Sequence, residues 1–390
     1  MNRLLAGPPL TAGPEPLASH TGRLGPLPSV GPRFIDTLIQ SRITGRGGAG
    51  FSAGIKWQAV ATHSRGDAVI LVNGAEGEPH SKKDRFLMST RPHLVLDGAF
   101  IAARVLRARR VILYIGERHT TARSAMVHAL AERTAAEREL VQTNAAPARY
   151  VAGAETAAIH LMNEGVATPT TMPPYPYERG VDGRATLVQN VETLAGIALV
   201  ARYGVASGTA LITIAGGVAK TGVMELGNTT TIGDAVQLAG GSIGPSRAIL
   251  VGGYFGRWVD AAEAWNLPLD PATLRDRGLS MGCGVIGVLP DNRCPVCETA
   301  GIMRYLAGES SAQCGPCFFG LRALADACGR IAQHGTTRDD LERLNRWADQ
   351  VRARGACRHP DGAAIFLQSA LKTFSSEFAN HRPHAATVAA

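Results

Sequence analysis

The stretch AVILVNGAEGEP, residues 68–79, begins with five apolar residues and ends in a polar loop that contains glycine. Two further short apolar runs follow, RVILYIG at residues 110–116 and RYVAG at residues 149–153. Between the first two runs, HLVLDGAFIAARVL at residues 93–106 has apolar residues at helical spacing. Short apolar strands that alternate with amphipathic helices are typical of a largely parallel sheet. Residues 33–203 are therefore predicted to form an α/β domain.

The pattern changes on both sides of this domain. Residues 1–32 are rich in Pro, Gly and Leu without periodicity, which predicts a flexible or surface-draped arm. In residues 204–282, two β-rich runs, a Thr-capped helix and a further strand predict a small β-grasp-type domain. From residue 283 to residue 390, four segments have apolar residues three and four apart, which predicts a bundle of helices.

Composition limits the class of protein. With 45% hydrophobic and 18% charged residues, the 390-residue chain can bury a core and is not a disordered polypeptide. No apolar stretch approaches the roughly 20 residues that span a bilayer, and the N-terminus does not resemble a secretory signal. A soluble, cytoplasmic protein is expected, without membrane insertion.

The formal net charge of +8 is spread along the chain as arginines. The one local concentration is Arg104, Arg107, Arg109 and Arg110, and no nucleic-acid-binding motif accompanies it. Nucleic-acid binding is therefore not expected. Arginine is also well suited to docking an acidic protein partner.

The segment Gly45–Phe51, GRGGAGF, contains the spacing GxGxxG, which lets backbone N–H groups approach a phosphate. A dinucleotide-binding fingerprint of this kind should follow a strand. Here the preceding FIDTLIQS, residues 34–41, has helical spacing, so an ordinary Rossmann site is not predicted. Lys56 follows the loop and could neutralise a phosphate.

The loop after the first apolar run places Asn73, Glu76 and Glu78 at the carboxyl end of a strand. Open α/β sheets bind their ligands at this edge. A glycine-rich turn with solvated carboxylates is the alternative that these two segments leave open.

All seven cysteines lie after residue 280, which favours a local metal or redox site over a disulfide framework. Cys294–Cys297 and Cys314–Cys317 are CxxC pairs at a spacing that fits structural zinc, and CGPC is also the thioredoxin tetrapeptide. The helical segment between the pairs disfavours both interpretations but does not exclude them. Cys283 and Cys328 are interpreted as small buried side chains.

Four segments in order, GRGGAGFSAGIKW, VNGAEGEPHSKKDR, YVAGAETAAIHLMNEG and LVQNVETLAGIA, resemble the flavin-binding 51 kDa or F-type subunit of NADH dehydrogenases. Flavin subunits of NAD-linked hydrogenases and formate dehydrogenases are similar. The resemblance runs from about Ile43 to about His381. It implies an FMN- and NADH-binding α/β domain, a β-grasp domain of the soluble-ligand-binding type and an all-α iron–sulfur bundle.

The resemblance also implies which residues hold the cofactor and NADH. These are Gly45, Arg46, Gly47, Gly50, Phe51, Lys56, Asn73, Glu76, Glu78, Tyr150, Gly153, Glu155, Tyr175, Gln189 and Asn190. The chain departs from the family's usual residues at Ala59, Ala75, Ala154 and Met172. An altered affinity for NADH is the expected consequence.

For the cluster, the family's pattern Glu-Ser-Cys-Gly-x-Cys-x-Pro-Cys aligns with residues 309–317. The resemblance implies a 4Fe-4S cluster on Cys314, Cys317 and Cys357, with Ser311 in the place of the first ligand. Cys297 stands where the family usually has aspartate, and it is the candidate for the missing thiolate.

The implied activity is hydride transfer from NADH to FMN, followed by single electrons through the cluster to a ferredoxin or a companion iron–sulfur subunit. No side chain is expected to act as nucleophile or general base. Association with a membrane would be peripheral, through a complex. Two alternatives remain open: a relay that keeps FMN and the cluster but not productive NADH binding, and a structural, metal-binding member of the family.

Overall fold

The computed structural model describes residues 3–383. Residues 1–2 of the predicted arm and residues 384–390 of the predicted C-terminal domain lie outside this range. The described chain divides into two compact units. Unit 1 contains the residues up to Ile212 together with Val223–Gly227, and unit 2 contains Thr213–Gly222 and the residues from Asn228 onward. Among residues 3–383, no helix is both long enough and apolar enough to cross a bilayer.

Unit 1 is built on a sheet of four parallel strands. The strands are β1 (Val69–Gly74), β2 (Arg110–Gly116), β3 (Val141–Ala146) and β4 (Thr186–Asn190). Their order in the sheet is β3-β2-β1-β4. From β1 the chain adds β2 and then β3 on one side, and β4 then pairs with β1 on the opposite side. Both central strands are buried along nearly their whole length, which explains their continuous apolar runs. The predicted parallel sheet is confirmed.

Helices and short turns connect and cover these strands. They are α1 (Leu17–Leu24), α2 (Phe34–Ser41), α3 (Ala53–His63), α4 (Lys83–Thr90), α5 (Pro92–Val105), α6 (Thr120–Ala131), α7 (Ala135–Leu140), α8 (Glu155–Glu164), α9 (Val191–Tyr203) and 3-10 turns at Leu10–Ala12, Tyr150–Gly153 and Val181–Gly183. Helix α5 is buried on nearly every face, and Gly98 lets it approach α9 closely. A Cβ at Gly98 would lie 2.1 Å from the carbonyl oxygen of Leu194.

The strand predicted for RYVAG is wrong. Tyr150–Gly153 is a 3-10 turn, and the remaining strand of the sheet is β3, VQTNAA. Strand β3 is an edge strand whose side chains are mostly exposed, so it lacks the apolar run that marks a buried strand. Tyr114 on β2 donates its hydroxyl proton to the carbonyl oxygen of Ala152 at 3.0 Å, which fixes the turn against the sheet.

Residues 3–32 differ from the predicted flexible arm because they contain α1 and buried polar contacts. We call Glu15, His20, Asp97, Arg133 and Arg202 the N-terminal ionic cluster. The carboxylate of Asp97 has three basic partners. It lies 2.8 Å from His20 Nε2 and 2.8 Å from Arg133 Nη2, and it also forms an ion pair with Arg202. Burial alone would raise the pKa of Asp97. The hydrogen bond from His20 and the guanidinium groups of Arg133 and Arg202 outweigh burial and lower this pKa to about 2.

The start of the described chain is also fixed to a distant strand. Strand β6 (Gly222–Gly227) carries Glu225, whose carboxylate accepts hydrogen bonds from the backbone N–H groups of Leu4 and Leu5 at 2.8 and 2.9 Å. Leu4 is itself buried. The amino-acid composition of the arm does not predict these contacts, because both hydrogen-bond donors are backbone N–H groups.

The second sheet is mixed. It has the order β6-β5-β9-β7-β8, with β5 (Thr209–Gly216), β7 (Ser246–Val251), β8 (Arg257–Asp260) and β9 (Val285–Pro290). Strand β9 pairs in parallel with β5 and antiparallel with β7. It spans Val285–Pro290 and therefore lies beyond the predicted domain boundary at residue 282. Helix α10 (Ile232–Leu238) begins at Thr231 with the predicted threonine cap.

The rest of unit 2 is helical, as predicted for the C-terminal region. Its helices are α11 (Ala261–Ala264), α12 (Pro271–Asp276), α13 (Pro295–Gly308), α14 (Arg322–His334), α15 (Asp340–Val351), α16 (His359–Thr373) and α17 (Ser375–Ala379), with a π-helical turn at Pro316–Leu321. Pro295 and Pro360 stand in the first turns of α13 and α16, where a missing N–H costs nothing. The apolar faces of α13, α14 and α16 bury Leu306, Leu324 and Phe366.

Candidate functional site

The carboxyl ends of β1 and β4 lie side by side where the strand order of unit 1 reverses. Val72 is in register with Gln189, and Asn73 with Asn190. In open α/β sheets, this reversal leaves a crevice, because the connections of the two strands run to opposite sides. Three predicted site residues, Asn73, Gln189 and Asn190, thus lie at one point, although more than a hundred residues separate Asn73 from the other two in sequence.

The loop after β1 is fixed by its own polar groups. Asn73 Nδ2 donates to the carbonyl oxygen of Gly153 at 2.9 Å, and Asn73 Oδ1 accepts from the backbone N–H of Ala75. A Cβ at Gly77 would lie 2.7 Å from the carbonyl oxygen of Tyr150. The turn that holds Tyr150 and Gly153 therefore lies directly against this loop, as the predicted site requires.

The glycine loop crosses the start of α9. The N–H of Gly45 donates to the carbonyl oxygen of Phe51 at 2.8 Å, which closes the loop on itself. The N–H of Arg46 donates to Thr193 Oγ1 at 2.9 Å. A Cβ at Gly47 would lie 3.4 Å from the Cβ of Asn190, and Gly50 has φ +63°. The loop's glycines thus serve both a close approach to β4 and a left-handed turn.

The end of β4 combines a helix cap with a buried amide. Asn190 Oδ1 accepts from the N–H groups of Glu192 and Thr193 and so caps α9. Gln189 is buried, and its Oε1 accepts no hydrogen bond from any residue between 3 and 383. A buried amide oxygen of this kind needs a partner, and a bound ligand is one way to supply it.

Behind the crevice lies a compact group of buried charges, Lys83, Asp84 and Glu192, which we call the site ionic cluster. Lys83 Nζ lies 2.6 Å from Asp84 Oδ1 and 2.8 Å from Glu192 Oε2. Asn190 Nδ2 donates to Asp84 Oδ2 at 2.7 Å. Lys83 therefore pairs with both carboxylates, and Arg46 Nε lies 4.0 Å from Glu192 Oε1. The predicted residue Asn190 connects the group to the crevice.

The electrostatics of this cluster follow from these contacts. Burial disfavours the charged form of Lys83. The negative charges of Asp84 and Glu192 outweigh burial and raise the pKa of Lys83. Burial raises the pKa of Asp84, and repulsion from Glu76 and Glu192 acts in the same direction, while Lys83 offsets part of it. Lys83 is thus held as a cation.

Glu76 and Glu78 have different environments, although both follow β1. Glu76 adopts φ +42° and is 2% exposed in its side chain. Its carboxylate accepts from the N–H of Asp84 and from the N–H and the guanidinium of Arg85. Glu78 accepts from the Tyr150 hydroxyl at 3.2 Å. Glu76 therefore organises the loop, whereas Glu78 links it to the Tyr150 turn.

The remaining predicted residues lie further out. Lys56 on α3 forms an ion pair with Glu155 at the start of α8, and Phe51 is 55% exposed. Tyr175 stacks on Tyr177 with ring centroids 5.3 Å apart. The backbone N–H of Tyr175 donates to Glu178 Oε2 at 2.7 Å. Lys56 and Glu155 thus pair with each other, whereas the contacts of Tyr175 are with Tyr177 and Glu178.

The cysteines of unit 2 form two separate groups. Burial and the neighbouring thiols Cys314 and Cys357 together raise the pKa of Cys317 to about 12. Ser311, in contrast, donates to Gln313 Oε1 at 3.4 Å. Cys328 is fully buried, as interpreted from the sequence, and Cys283 is half-buried.

The other group is Cys294, Cys297 and His381. Their ligand atoms all lie within 4.8 Å of one another. Burial raises the pKa of Cys297 to about 12, and its sulfur neighbour is Cys294. The fourth predicted metal ligand, Cys297, thus has Cys294 and His381 as its neighbours.

Sequence reasoning missed Lys83, Asp84, Glu192 and Thr193. All four lie inside the segments VNGAEGEPHSKKDR and LVQNVETLAGIA, yet a Lys-Lys-Asp-Arg run normally predicts a solvated helix end. The signal that could have found them is their position, directly after the two strands that meet at the crevice. His381 had no signal, since a single histidine late in the chain has no motif around it.

Two family models match this chain. Residues 38–199 match the Nuo51 FMN-binding domain, and residues 298–381 match the iron–sulfur binding region of NADH-ubiquinone oxidoreductase-F. Among solved structures, the air-oxidised NAD+-reducing [NiFe]-hydrogenase is similar, with a TM-score of 0.78 and 28% sequence identity. That similarity covers 91% of this chain and 64% of the hydrogenase chain.

Curated relatives agree with these models over most of their length. An F-type subunit of the NADH-quinone oxidoreductase of Rhizobium meliloti is 29% identical over 372 residues, which are 89% of this chain and 88% of the relative. The F-type subunit of the NADH-quinone oxidoreductase of Salmonella typhimurium is 31% identical over 379 residues, covering 88% and 83% of the two chains. With the crevice, the glycine loop and the cysteine-bearing helices in place, the chain belongs to the family of F-type NADH-quinone oxidoreductase subunits.

Proposed function

We propose that this chain is an NADH dehydrogenase subunit that binds FMN and a 4Fe-4S cluster and passes electrons from NADH to a partner. The observation that carries the proposal is the meeting of the glycine loop with the ends of β1 and β4. Gly47 lies against Asn190, and Asn190 is in register with Asn73. When bound, FMN accepts two electrons together from a nicotinamide and releases them one at a time.

The crevice has the features that a flavin phosphate and ring require. Gly45, Gly47 and Gly50 leave backbone groups unobstructed, and the buried Oε1 of Gln189 accepts no hydrogen bond from the described residues. The residues proposed to hold FMN are Gly45, Arg46, Gly47, Gly50, Phe51, Lys56, Asn73, Glu76, Tyr150, Gly153, Gln189 and Asn190. Their task is to bind and orient, so no side chain needs to transfer a proton to the substrate.

NADH binding is proposed for Glu78, which is buried beside Tyr150, and for the more exposed residues Glu155 and Tyr175. Carboxylates can accept hydrogen bonds from ribose hydroxyls or a carboxamide, and an exposed aromatic ring can stack on a base. Tyr175 is 40% exposed and already stacks on Tyr177. Two stacked rings provide a larger surface than one.

Cys314, Cys317 and Cys357 are the proposed ligands of the cluster. Thiolates are the usual ligands of iron–sulfur clusters, and the three thiols are neighbours. Ser311 is proposed to take the fourth position through its hydroxyl oxygen. The role predicted for Cys297 is not part of this proposal, because its neighbours are Cys294 and His381.

The surface beside Cys317 supports a protein partner as electron acceptor. Phe319, in the same π-helical turn, is 71% exposed, and the side chain of Arg358, next to Cys357, is 88% exposed. Exposed aromatic and arginine side chains are enriched where proteins dock. This surface suits a companion iron–sulfur subunit or an acidic ferredoxin.

The finer architecture is also proposed here. A five-stranded mixed sheet, with α10 after its first hairpin, supports a β-grasp domain that starts near residue 204 and extends through β9. The flavin domain would then be residues 33–203, and the helical iron–sulfur domain would begin after β9. A cytoplasmic location is proposed with it.

A relay that does not use NADH is the second candidate. Ala75 and Ala154 stand where the resemblance implies acidic side chains, and Glu155 is engaged by Lys56. Both features would weaken contacts with a nicotinamide nucleotide while leaving the FMN crevice intact.

An anaerobic visible spectrum of the purified protein separates these candidates. We expect a flavin absorbance that stoichiometric NADH bleaches, with NADPH as the control for nucleotide specificity. A flavin that dithionite bleaches but NADH does not would favour the relay. A colourless protein from iron- and flavin-replete cells would contradict both and leave the structural alternative.

A further inference from the structure

A second metal site is built into unit 2, apart from the cysteines proposed for the cluster. Its first element is the N-terminus of α13. Cys294 is the cap residue of this 14-residue helix, and its sulfur accepts from the N–H of Cys297 at 3.4 Å. The CxxC spacing puts both sulfurs on the first turn.

The second element is His381, which approaches this turn from the end of the described chain. Its Nε2 lies 3.1 Å from the carbonyl oxygen of Ala332. A carbonyl oxygen can only accept, so Nε2 carries the hydrogen. In the neutral ring, Nδ1 then carries the lone pair, and it lies 4.0 Å from Cys294 Sγ.

This is the arrangement in which histidine binds metals. A ligating imidazole usually donates its other N–H to a carbonyl or carboxylate, which fixes the tautomer and the ring orientation. The backbone of His381 is also held, because its carbonyl oxygen accepts from the N–H of Thr336 at 3.2 Å. The ring is therefore oriented by contacts that do not involve the two sulfurs.

From this geometry we propose that Cys294, Cys297 and His381 bind a zinc ion. Two thiolates and one imidazole are soft and borderline donors, the set that zinc prefers over magnesium or calcium. Zinc bonds of about 2.0–2.3 Å set tetrahedral donor atoms roughly 3.4–3.8 Å apart. The three donor atoms lie within 4.8 Å of one another, so small rotations of the side chains complete the geometry.

The site assigns Cys297 a role that differs from the cluster. Among residues 3–383, these three are the one group of His, Cys, Asp or Glu residues whose donor atoms all lie so close together. Zinc here would join the start of α13 to the segment after α17. Because zinc has no redox chemistry, the ion would be structural and would not carry electrons.

Elemental analysis of the full chain tests the assignment. Protein from zinc-replete cells should contain about one zinc per chain. Zinc should fall at least tenfold in Cys297→Ser and His381→Ala but remain in His381→Cys, which restores a thiolate donor. Cys283→Ser is the matched control, because Cys283 lies outside both groups and bonds to Gly252.

Iron measured in the same samples distinguishes the two roles of Cys297. We expect iron to be unchanged in Cys297→Ser and in His381→Ala. Zinc missing from the wild-type protein, or retained by both variants, would overturn the proposal. So would loss of iron with zinc unchanged in Cys297→Ser, since this thiol would then serve the cluster. The His381→Cys variant and circular dichroism spectra of all variants separate loss of metal from loss of fold.

Discussion

Unit 1 contains two buried ionic clusters with opposite balances of charge. In the N-terminal ionic cluster, the single carboxylate of Asp97 contacts three basic groups. In the site ionic cluster, the single cation of Lys83 contacts two carboxylates. The pKa of Asp97 is accordingly lowered to about 2, whereas that of Asp84 is raised.

The difference in charge balance indicates that the N-terminal ionic cluster is structural, whereas the site ionic cluster supports the proposed function. The N-terminal cluster joins α1 to α5 and α9, and its carboxylate is fully neutralised by its neighbours. The site cluster has two carboxylates for the one cation of Lys83, and Arg46 on the glycine loop lies 4.0 Å from one of them, Glu192. Asn190 connects this cluster to the crevice. Perturbed carboxyl groups of this kind are more frequent at functional sites. Charge deletion should therefore have different consequences in the two places.

Replacing Lys83 by Met should have the largest effect. The variant leaves Asp84 and Glu192 buried without their cation, so we expect a loss of about 3–5 kcal/mol in the free energy of unfolding. Flavin content should fall as well, because Asp84 holds Asn190. Urea unfolding and the flavin-to-protein absorbance ratio measure the two effects. Lys82→Met, at the exposed neighbouring position, is the control and should change little. A stable Lys83→Met protein with full flavin would show that the cluster does not support the crevice.

The Asp97→Asn substitution should lower the stability of the protein without reducing its flavin content. The amide keeps the shape but not the charge that balances His20, Arg133 and Arg202, so about 2–4 kcal/mol of unfolding free energy should be lost. The flavin-to-protein ratio of the folded protein should stay at its wild-type value. Asp36→Asn, on the exposed side of α2, is the matched control. Loss of flavin in Asp97→Asn would mean that the two clusters are not functionally separate.

Gly47→Ala should act on the crevice with little effect on stability. Its Cβ would lie 3.4 Å from the Cβ of Asn190, a close van der Waals contact, and would add a methyl group where the loop is proposed to approach FMN. We expect FMN affinity to fall about tenfold, which is about 1.4 kcal/mol. Flavin fluorescence during titration of the apoprotein gives the dissociation constant. Gly22→Ala, in open space on α1, should bind FMN normally. Unchanged affinity in Gly47→Ala would contradict the proposed close approach of this loop to FMN.

The smallest expected effect is a pH dependence in the N-terminal cluster. Burial lowers the pKa of His20, but its bonds to Asp97 and Glu15 outweigh this, and the net pKa is raised above 6.5. The folded state therefore holds this proton more tightly than the unfolded state does. The stabilisation from His20 is fully present below pH 6.5 and is lost as the pH rises through the folded pKa.

His20→Gln isolates this contribution. The difference in unfolding free energy between wild type and variant should be largest near pH 5.5 and smaller at pH 8.5. The pKa of His93 is lowered to about 4 by burial, by Arg133 and by His20, so its opposite contribution cancels only in part in this difference. A difference that grows with pH would have the wrong sign for a protonated His20.

The sequence predicts a structural feature when that feature depends on residues close together in the chain. It fails where the environment of a residue is formed by a distant segment. Strands β1 and β2 are predicted because burial gives them continuous apolar runs, and β3 is missed because an exposed edge strand has none. Asn73, Gln189 and Asn190 lie together because the carboxyl ends of neighbouring parallel strands must meet at one edge of the sheet. Lys83 escapes prediction since its burial depends on Glu192, which lies in a different segment of the chain.

The same reasoning explains the cysteines. A CxxC pair predicts that two sulfurs lie together, and Cys294 and Cys297 do. The third donor, His381, is 87 residues from Cys294 and belongs to no motif. Alignment with a family pattern suggests that Cys297 could complete the cluster, whereas only the fold brings His381 next to it.

The contact between the start of the chain and Glu225 has a consequence for synthesis on the ribosome. Leu4 and Glu225 are 221 residues apart, so the N-terminal segment is exposed long before its acceptor exists. At roughly 5–20 residues per second, translation takes on the order of 10–45 s to cover that distance. During this interval the buried face of Leu4 and the first residues of α1 are available to chaperones. Unit 1 can close only after β6 has left the exit tunnel, which makes its folding a late event in synthesis.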